Sequence, residues 1–332
     1  MPVASQLVRK SHSAIDIDGR YQILGPLGSS LTGSSFLARH RELGRRVVVK
    51  LEHDRADAVL KARFEREAQA LSRLDHPHVA RLLDFGQTAD HRRFMVVEHV
   101  EGRDLRQMLE RWGRLPEPRV LRVLDQLADA LGAVHAVGLV HRNLKPENVL
   151  IGEGRHGEDL VKLTNFGLVR SEGAGFDDSG TKTGAMQGTP RYWAPEQVLG
   201  EPADARTDVY AFGVLAYELL TGRPPFLSST VEGFAWQHVH QRVPRALDPN
   251  GRPRIRPQLE AVLARCLAKH PNERYASMRE VRKALRATRR VRVQARAPTL
   301  AERVRGRLAA PETWIVVGAA FLAGLLGALV GR

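Results

Sequence analysis

The alternation of apolar and polar positions changes period near residue 100. From Tyr21 to about Asp54 the runs "YQIL", "SSFLARH" and "RRVVVKLEH" are separated by glycine-containing turns, which predicts strands. Between Asp57 and Leu74 the spacing turns helical, with Leu60, Phe64, Ala68 and Leu71 on one face. "VARLLDFG" and "RFMVVEHV" predict two further strands, so the first hundred residues read as a small sheet with one helix. After Gly102 helices dominate. Val120, Leu124, Leu127, Leu131 and Val134 mark an amphipathic helix with Gly138 just past its end. "DVYAFGVLAYELLTG" is a nearly all-apolar helix, and "LEAVLARCLAKH" and "MREVRKALRA" predict later ones.

The last apolar run differs in kind. Thr313 to Gly331 are 19 uncharged residues bounded by Glu312 and Arg332. As a helix they would extend about 28 Å, close to the thickness of a bilayer's hydrocarbon core. A buried core helix is the alternative, but the run is rich in Gly and Ala and nothing after it could cover it. It is therefore read as a membrane anchor. Gly327 and Gly331, and Ala320 and Gly324, form small-xxx-small pairs compatible with a homodimer or simply with membrane helices in general.

Charge follows the same boundary. The chain of 332 residues carries +14, but ten Lys/Arg and one acid between Arg282 and Arg307 account for +9 of it, leaving 14 − 9 = +5 elsewhere. The basic stretch precedes the apolar run and reads as a juxtamembrane segment drawn to anionic lipid, with the large domain in the cytoplasm. No interleaved aromatics accompany it, so no nucleic acid partner is expected. The single cysteine, Cys266, excludes an internal disulfide and fits a reducing compartment. No apolar run follows Met1, so no secretory leader is expected.

Three stretches carry candidate chemistry. Gly28-x-Ser30-x-x-Gly33 lies between two strands, where a glycine hairpin can lay backbone N–H groups over phosphates, or can be an ordinary turn. Lys50 ends a Val-Val-Val strand and needs a counter-charge or a ligand, while Glu67, mid-helix, is by itself an ordinary charge on a solvated face. "HRNLKPENVLI", from His141 to Ile151, "LTNFGL" around Asn165 and Phe166, "GTPRYWAPE" from Gly188 to Glu196, Asp208, and Arg274 in "CLAKHPNERY" follow in that order.

In this order and spacing, from about Tyr21 to about Ala287, the motifs resemble the bacterial eukaryotic-like (Hanks-type) Ser/Thr protein kinase family. The resemblance implies an α+β, two-lobed protein kinase fold. A β-rich N-lobe would occupy residues 21–100 and a larger helical C-lobe 101–287, with ATP and magnesium in the cleft between them. A loose tail over 1–20, a basic linker over 288–312 and a transmembrane helix over 313–331 complete the expected organisation.

By that resemblance Leu27, Gly28, Ser30 and Gly33 fall on or beside the phosphate-covering loop, and Ser35 and Val48 over the adenine. Lys50 falls on the lysine that holds the phosphates, and Glu67 on its partner. Val97 stands at the gatekeeper, Glu98 to Val100 at the hinge, and Leu150 at a further cofactor contact. Asn143 stands on the catalytic base, Lys145 on the loop lysine, and Asn148 and Asn165 on the two metal ligands. His141, Arg142, Phe166, Glu196, Asp208 and Arg274 stand on structural positions.

Five of these positions depart from the family pattern, and all five lie in the expected cleft. Asn143 has no basicity to accept a proton, and general-base help is worth ~10²–10⁴-fold. Asn165 removes a full negative charge from a site for a hard dication. Ser30 and Val48 add bulk, and Ser35 adds polarity, where nucleotide should lie. The expectation is therefore a membrane-tethered pseudokinase acting as scaffold or allosteric regulator. A slow ATP-dependent Ser/Thr kinase using Lys50, Lys145 and Asn148, and a tethered nucleotide sensor, are the alternatives. Thr181 and Thr183 lie where the family carries activation-loop phosphorylation sites, next to a retained Arg142. The implied partners are cytoplasmic proteins, among them an active kinase or a phosphothreonine reader.

Overall fold

The computed structural model describes residues 16–30, 32–54, 56–165, 170–171, 189–247, 250–251 and 254–294. Two compact units divide the chain, residues 1–286 and residues 287–332. Among the described residues no helix is long and apolar enough to cross a membrane. The run Thr313–Gly331 lies outside the described residues, as do Phe166, Thr181 and Thr183.

The N-lobe is a six-stranded antiparallel sheet. Its strands are β1 (Asp16–Ile17), β2 (Tyr21–Ser29), β3 (Gly33–His40), β4 (Arg46–Glu52), β5 (Leu82–Gln87) and β6 (Arg93–Glu98), in the order β1-β2-β3-β4-β6-β5. Side chains alternate between faces. Val47, Val49 and Leu51 pack with Ile17, Tyr21, Phe94 and Val96 on one face. Val48 and Lys50 therefore point to the other, where α1 (Ala58–Ser72) lies. This period-two placement puts a lysine beside a helix glutamate.

Two local readings change. The polar tail predicted over 1–20 ends in a paired strand, because Ile17 is an apolar residue that the sheet buries to 1% exposure. The strand predicted from Val79 begins at Leu82. Val79 instead lies opposite Leu163 of another sheet, held by the Ala80 N–H to Leu163 O and the Leu163 N–H to His78 O, and Val79 and Ala80 are buried there.

The C-lobe contains α2 (Leu105–Trp112), α3 (Glu117–Ala136), α4 (Pro195–Leu199), α5 (Ala205–Thr221), α6 (Val231–His240), α7 (Pro257–Cys266) and α8 (Met278–Gln294). Two small sheets lie among them. One has the order β10-β9-β7 (Asp159–Leu163, Val149–Glu153, Gly102–Asp104), and the other pairs β8 (Leu139–Val140) with β11 (Arg170–Ser171). The amphipathic stripe predicted for α3 is its buried face, since Val120, Leu124, Leu127, Leu131 and Val134 are all 0% exposed. α5 is buried from Thr207 to Thr221, as an all-round apolar helix must be. Gly213 lets α7 approach it, because a Cβ there would stand 2.9 Å from Cys266 Cβ. Gly222, at φ +81°, ends α5 in the left-handed conformation that glycine adopts without strain.

Candidate functional site

The central loop leaves β8 at His141 and is fixed from below by Asp208 of α5. The Asp208 carboxylate accepts the backbone N–H groups of His141 and Arg142, each at 2.8 Å, and lies 2.7 Å from His135 Nε2. Two consecutive N–H groups reach one carboxylate because Arg142 adopts φ +60°, uncommon for a residue with a Cβ. Burial works to raise the Asp208 carboxyl, and hydrogen bonding from His135 and His141 outweighs it, holding the group below the usual carboxylate range. The wholly buried His141 imidazole is pushed down by loss of hydration. Its Nδ1 accepts the Asn143 N–H and its Nε2–H donates to Thr164 O, so it is the neutral Nε2–H tautomer. Gln197 Nε2 donates to Arg142 O, and an Arg142 nitrogen donates to Ala203 O.

Three asparagines meet at the position expected to hold metal. Asn148, 2% exposed, donates through Nδ2 to the backbone carbonyl of Asn143 at 2.6 Å. A carbonyl accepts only, so the Asn148 amide has one possible orientation and its Oδ1 must face away from Asn143. That Oδ1 accepts Asn165 Nδ2 at 3.1 Å. The two side chains expected to present oxygens to a cation are thus engaged with each other, donor to acceptor. Asn165 sits at φ +65°, in the left-handed region where Asn and Asp are enriched, so the exchange of acid for amide preserves the backbone. Among the described residues no group of His, Cys, Asp and Glu could hold a metal ion. Among the described residues this site is neutral and its buried Asn148 oxygen is already hydrogen-bonded, which does not fit the magnesium implied by the resemblance.

Beside this ladder Lys145 Nζ donates to Thr189 Oγ1 at 3.1 Å. Arg106 of α2 ties the loop to the lobe, donating to Glu147, Glu218 and the Tyr192 hydroxyl at 3.1, 3.0 and 2.6 Å.

Across the cleft Lys50 and Glu67 pair at 2.5 Å, and both are nearly buried. The glycine hairpin folds onto them. Thr32, 1% exposed, donates through Oγ1 to Glu67 Oε2 at 3.3 Å. The Ser30 N–H and hydroxyl both donate to Gly33 O, at 2.9 and 3.1 Å. A His53 ring nitrogen holds Ser30 O at 2.9 Å. Gly33 permits this closure, since a Cβ would stand 2.4 Å from Leu51 O.

The predicted residues are thus mostly brought together. Ser35 and Val48 lie on adjacent strands of the sheet, Ser35 opposite Lys50 and Val48 opposite Val97. Glu98 is an exception in its side chain, which turns to Lys162 Nζ at 2.8 Å and the Arg81 N–H, so its hinge role would fall to the backbone. Leu27 is 55% exposed, and Val97, Val100 and Leu150 are partly exposed. Glu196 and Arg274 form the expected brace through a two-point ion pair at 2.7 and 2.8 Å. Thr32, His53 and Arg106 carry contacts that motif reading did not assign. Thr32 had a local signal, a hydroxyl inside the glycine hairpin. Thr189 was visible only as one of several loop hydroxyls.

The sequence matches the family model for the protein kinase domain over residues 21–285. It is 39% identical over 271 residues to serine/threonine-protein kinase pkn3 of Myxococcus xanthus, covering 81% of this chain and 50% of that protein. It is 40% identical over 279 residues to pkn2 of the same organism, covering 82% and 32%. Against PknL of Mycobacterium tuberculosis it is 38% identical over 263 residues, covering 78% and 63%. The chain therefore spans less than two thirds of the length of these relatives.

Proposed function

This chain belongs to the protein kinase family, and from that premise we propose that it is a catalytically impaired member, a membrane-tethered pseudokinase working as a signalling scaffold or allosteric regulator. The observation that carries the proposal is the amide ladder Asn165–Asn148–Asn143. It hydrogen-bonds Asn148 Oδ1, one of the two side-chain oxygens that a kinase would offer a cation, and an amide at position 143 provides no base. The surviving Asp208, His141, Glu196 and Arg274 contacts keep the scaffold rigid around a site lacking its acids. This chain's own residues can orient a hydroxyl through Asn143 and place a positive charge through Lys145.

The assembled Lys50–Glu67 pair and the Lys145–Thr189 contact favour a second reading, a slow Ser/Thr kinase. Packing accounts for the first of these as well, because a half-broken buried pair costs about 3–5 kcal/mol. The two readings part in one assay. The pseudokinase should show the same melting temperature with ATP whether or not magnesium is present, and should transfer no labelled phosphate to a basic protein substrate. A shift of several degrees that needs magnesium, with transfer lost in Lys50→Ala, would establish the kinase instead.

The proposed tether is supported by the uncharged run Thr313–Gly331 and the basic residues before it. Deleting Thr313–Arg332 should move the protein from the membrane to the soluble fraction, and unchanged fractionation would refute the tether. Phosphorylation of Thr181 or Thr183 by an active kinase belongs to the same proposal, and phosphopeptide mapping after co-expression with one reads it directly.

A further inference from the structure

We propose that the cleft is specific for a phosphate-free adenine nucleoside and discriminates against ATP. This rests on the pseudokinase reading above and names the ligand of the same site.

On the phosphate side of the cleft the hairpin is hydrogen-bonded to its own chain. A glycine hairpin binds phosphate by offering free backbone N–H groups. Here the Ser30 N–H is taken by Gly33 O, and the serine hydroxyl is directed to the same oxygen. Thr32 inserts its hydroxyl against the Lys50–Glu67 pair and excludes solvent from it. His53 fastens the hairpin from behind through Ser30 O. A triphosphate beneath the hairpin would meet a loop already bonded to Gly33, Glu67 and His53.

Charge points the same way. Lys50 is neutralised by Glu67 at 2.5 Å, Lys145 is hydrogen-bonded to Thr189, and Asn143, Asn148 and Asn165 are neutral. Among the described residues Lys50 and Lys145, each already engaged, face a group that carries about four negative charges, and no group of His, Cys, Asp and Glu there could hold a cation to make up the difference. Stripping water from uncompensated phosphates is strongly unfavourable. An uncharged nucleoside meets no such penalty.

The base side remains equipped. The backbone N–H and C=O groups of Val100 make no backbone hydrogen bond among the described residues, which leaves a hinge donor and acceptor for the edge of a base. Leu27, Val97 and Leu150 are incompletely buried apolar side chains at the positions expected to border a flat ring. Val48 lowers the ceiling by adding apolar contact rather than charge.

The test is calorimetric titration of the full chain with adenosine, AMP and ATP, each with and without magnesium. Adenosine should bind at least about tenfold more tightly than ATP in both conditions, with AMP between them. Ser30→Gly combined with Thr32→Val should raise the ATP-to-adenosine affinity ratio about tenfold or more. His53→Ala, which leaves the hairpin's own sequence intact, should move the ratio the same way, and thermal melts would confirm that both variants fold. ATP binding more tightly than adenosine in the unmodified chain, or no adenosine binding at all, overturns the inference. If that ATP binding is independent of magnesium and transfers no phosphate, the pseudokinase reading stands and only the ligand assignment fails. Magnesium-dependent transfer would remove both.

Discussion

Arg274→Met should lower the melting temperature by about 6–20 °C. The Arg274 and Glu196 side chains are 0% and 2% exposed, and their two-point pair lies between α4 and the segment before α8. Replacing the guanidinium leaves a carboxylate in the interior with Thr207 Oγ1 as its remaining side-chain donor. Breaking a buried pair from one side costs about 3–5 kcal/mol. At about 2–4 °C per kcal/mol for a domain of this size, the stated range follows. Arg274 also donates to the carbonyls of Ala268, Lys269 and Arg206, so three backbone acceptors lose a partner at the same time. Glu196→Gln should be milder, because the amide still offers an oxygen to Arg274 and Thr207. Scanning calorimetry distinguishes the two, and an Arg274→Met protein melting within about 2 °C of the parent would show that the brace adds nothing to stability.

The features legible in the sequence are those set by local spacing. The continuous valine run before Lys50 and the seven-residue periodicity of α3 predicted their elements because neighbouring residues share one environment. The catalytic-loop positions were legible as a motif, whereas the loop's attachment to Asp208, 67 positions from His141, was not. Contacts between residues distant in the chain were not legible. Thr32 finds Glu67 across 35 positions, Lys145 finds Thr189 across 44, and Arg106 finds Glu218 across 112. No local pattern encodes such partners, since they depend on how separate elements pack. The clearest instance is Ser30. In sequence it adds a side chain where backbone should meet phosphate, which suggests crowding. In the fold it is a hydrogen-bonding member of a closed hairpin, so the same residue acts by holding the loop shut.

Restoring both acids should return phosphotransfer only when the hairpin is also released. An aspartate introduced by Asn165→Asp sets a carboxylate against Asn148 Oδ1, replacing a donor–acceptor contact of 3.1 Å with two acceptors. Without a cation this is repulsive, so the single variant should melt below the parent and regain the difference on adding magnesium. Asn143→Asp supplies the missing base, worth ~10²–10⁴-fold in rate where the rest of the site is assembled. Alone it should yield nothing measurable, because residues that act as a unit show no separate contributions. Joined to Asn165→Asp, Ser30→Gly and Thr32→Val, it should yield magnesium-dependent transfer that Lys50→Ala abolishes. Comparing the combined variant with and without Asn143→Asp isolates the base. A gain of at least about a hundredfold supports the assignment of position 143, whereas equal rates would place the defect elsewhere in the cleft, with Val48 and Ser35 next to be reverted.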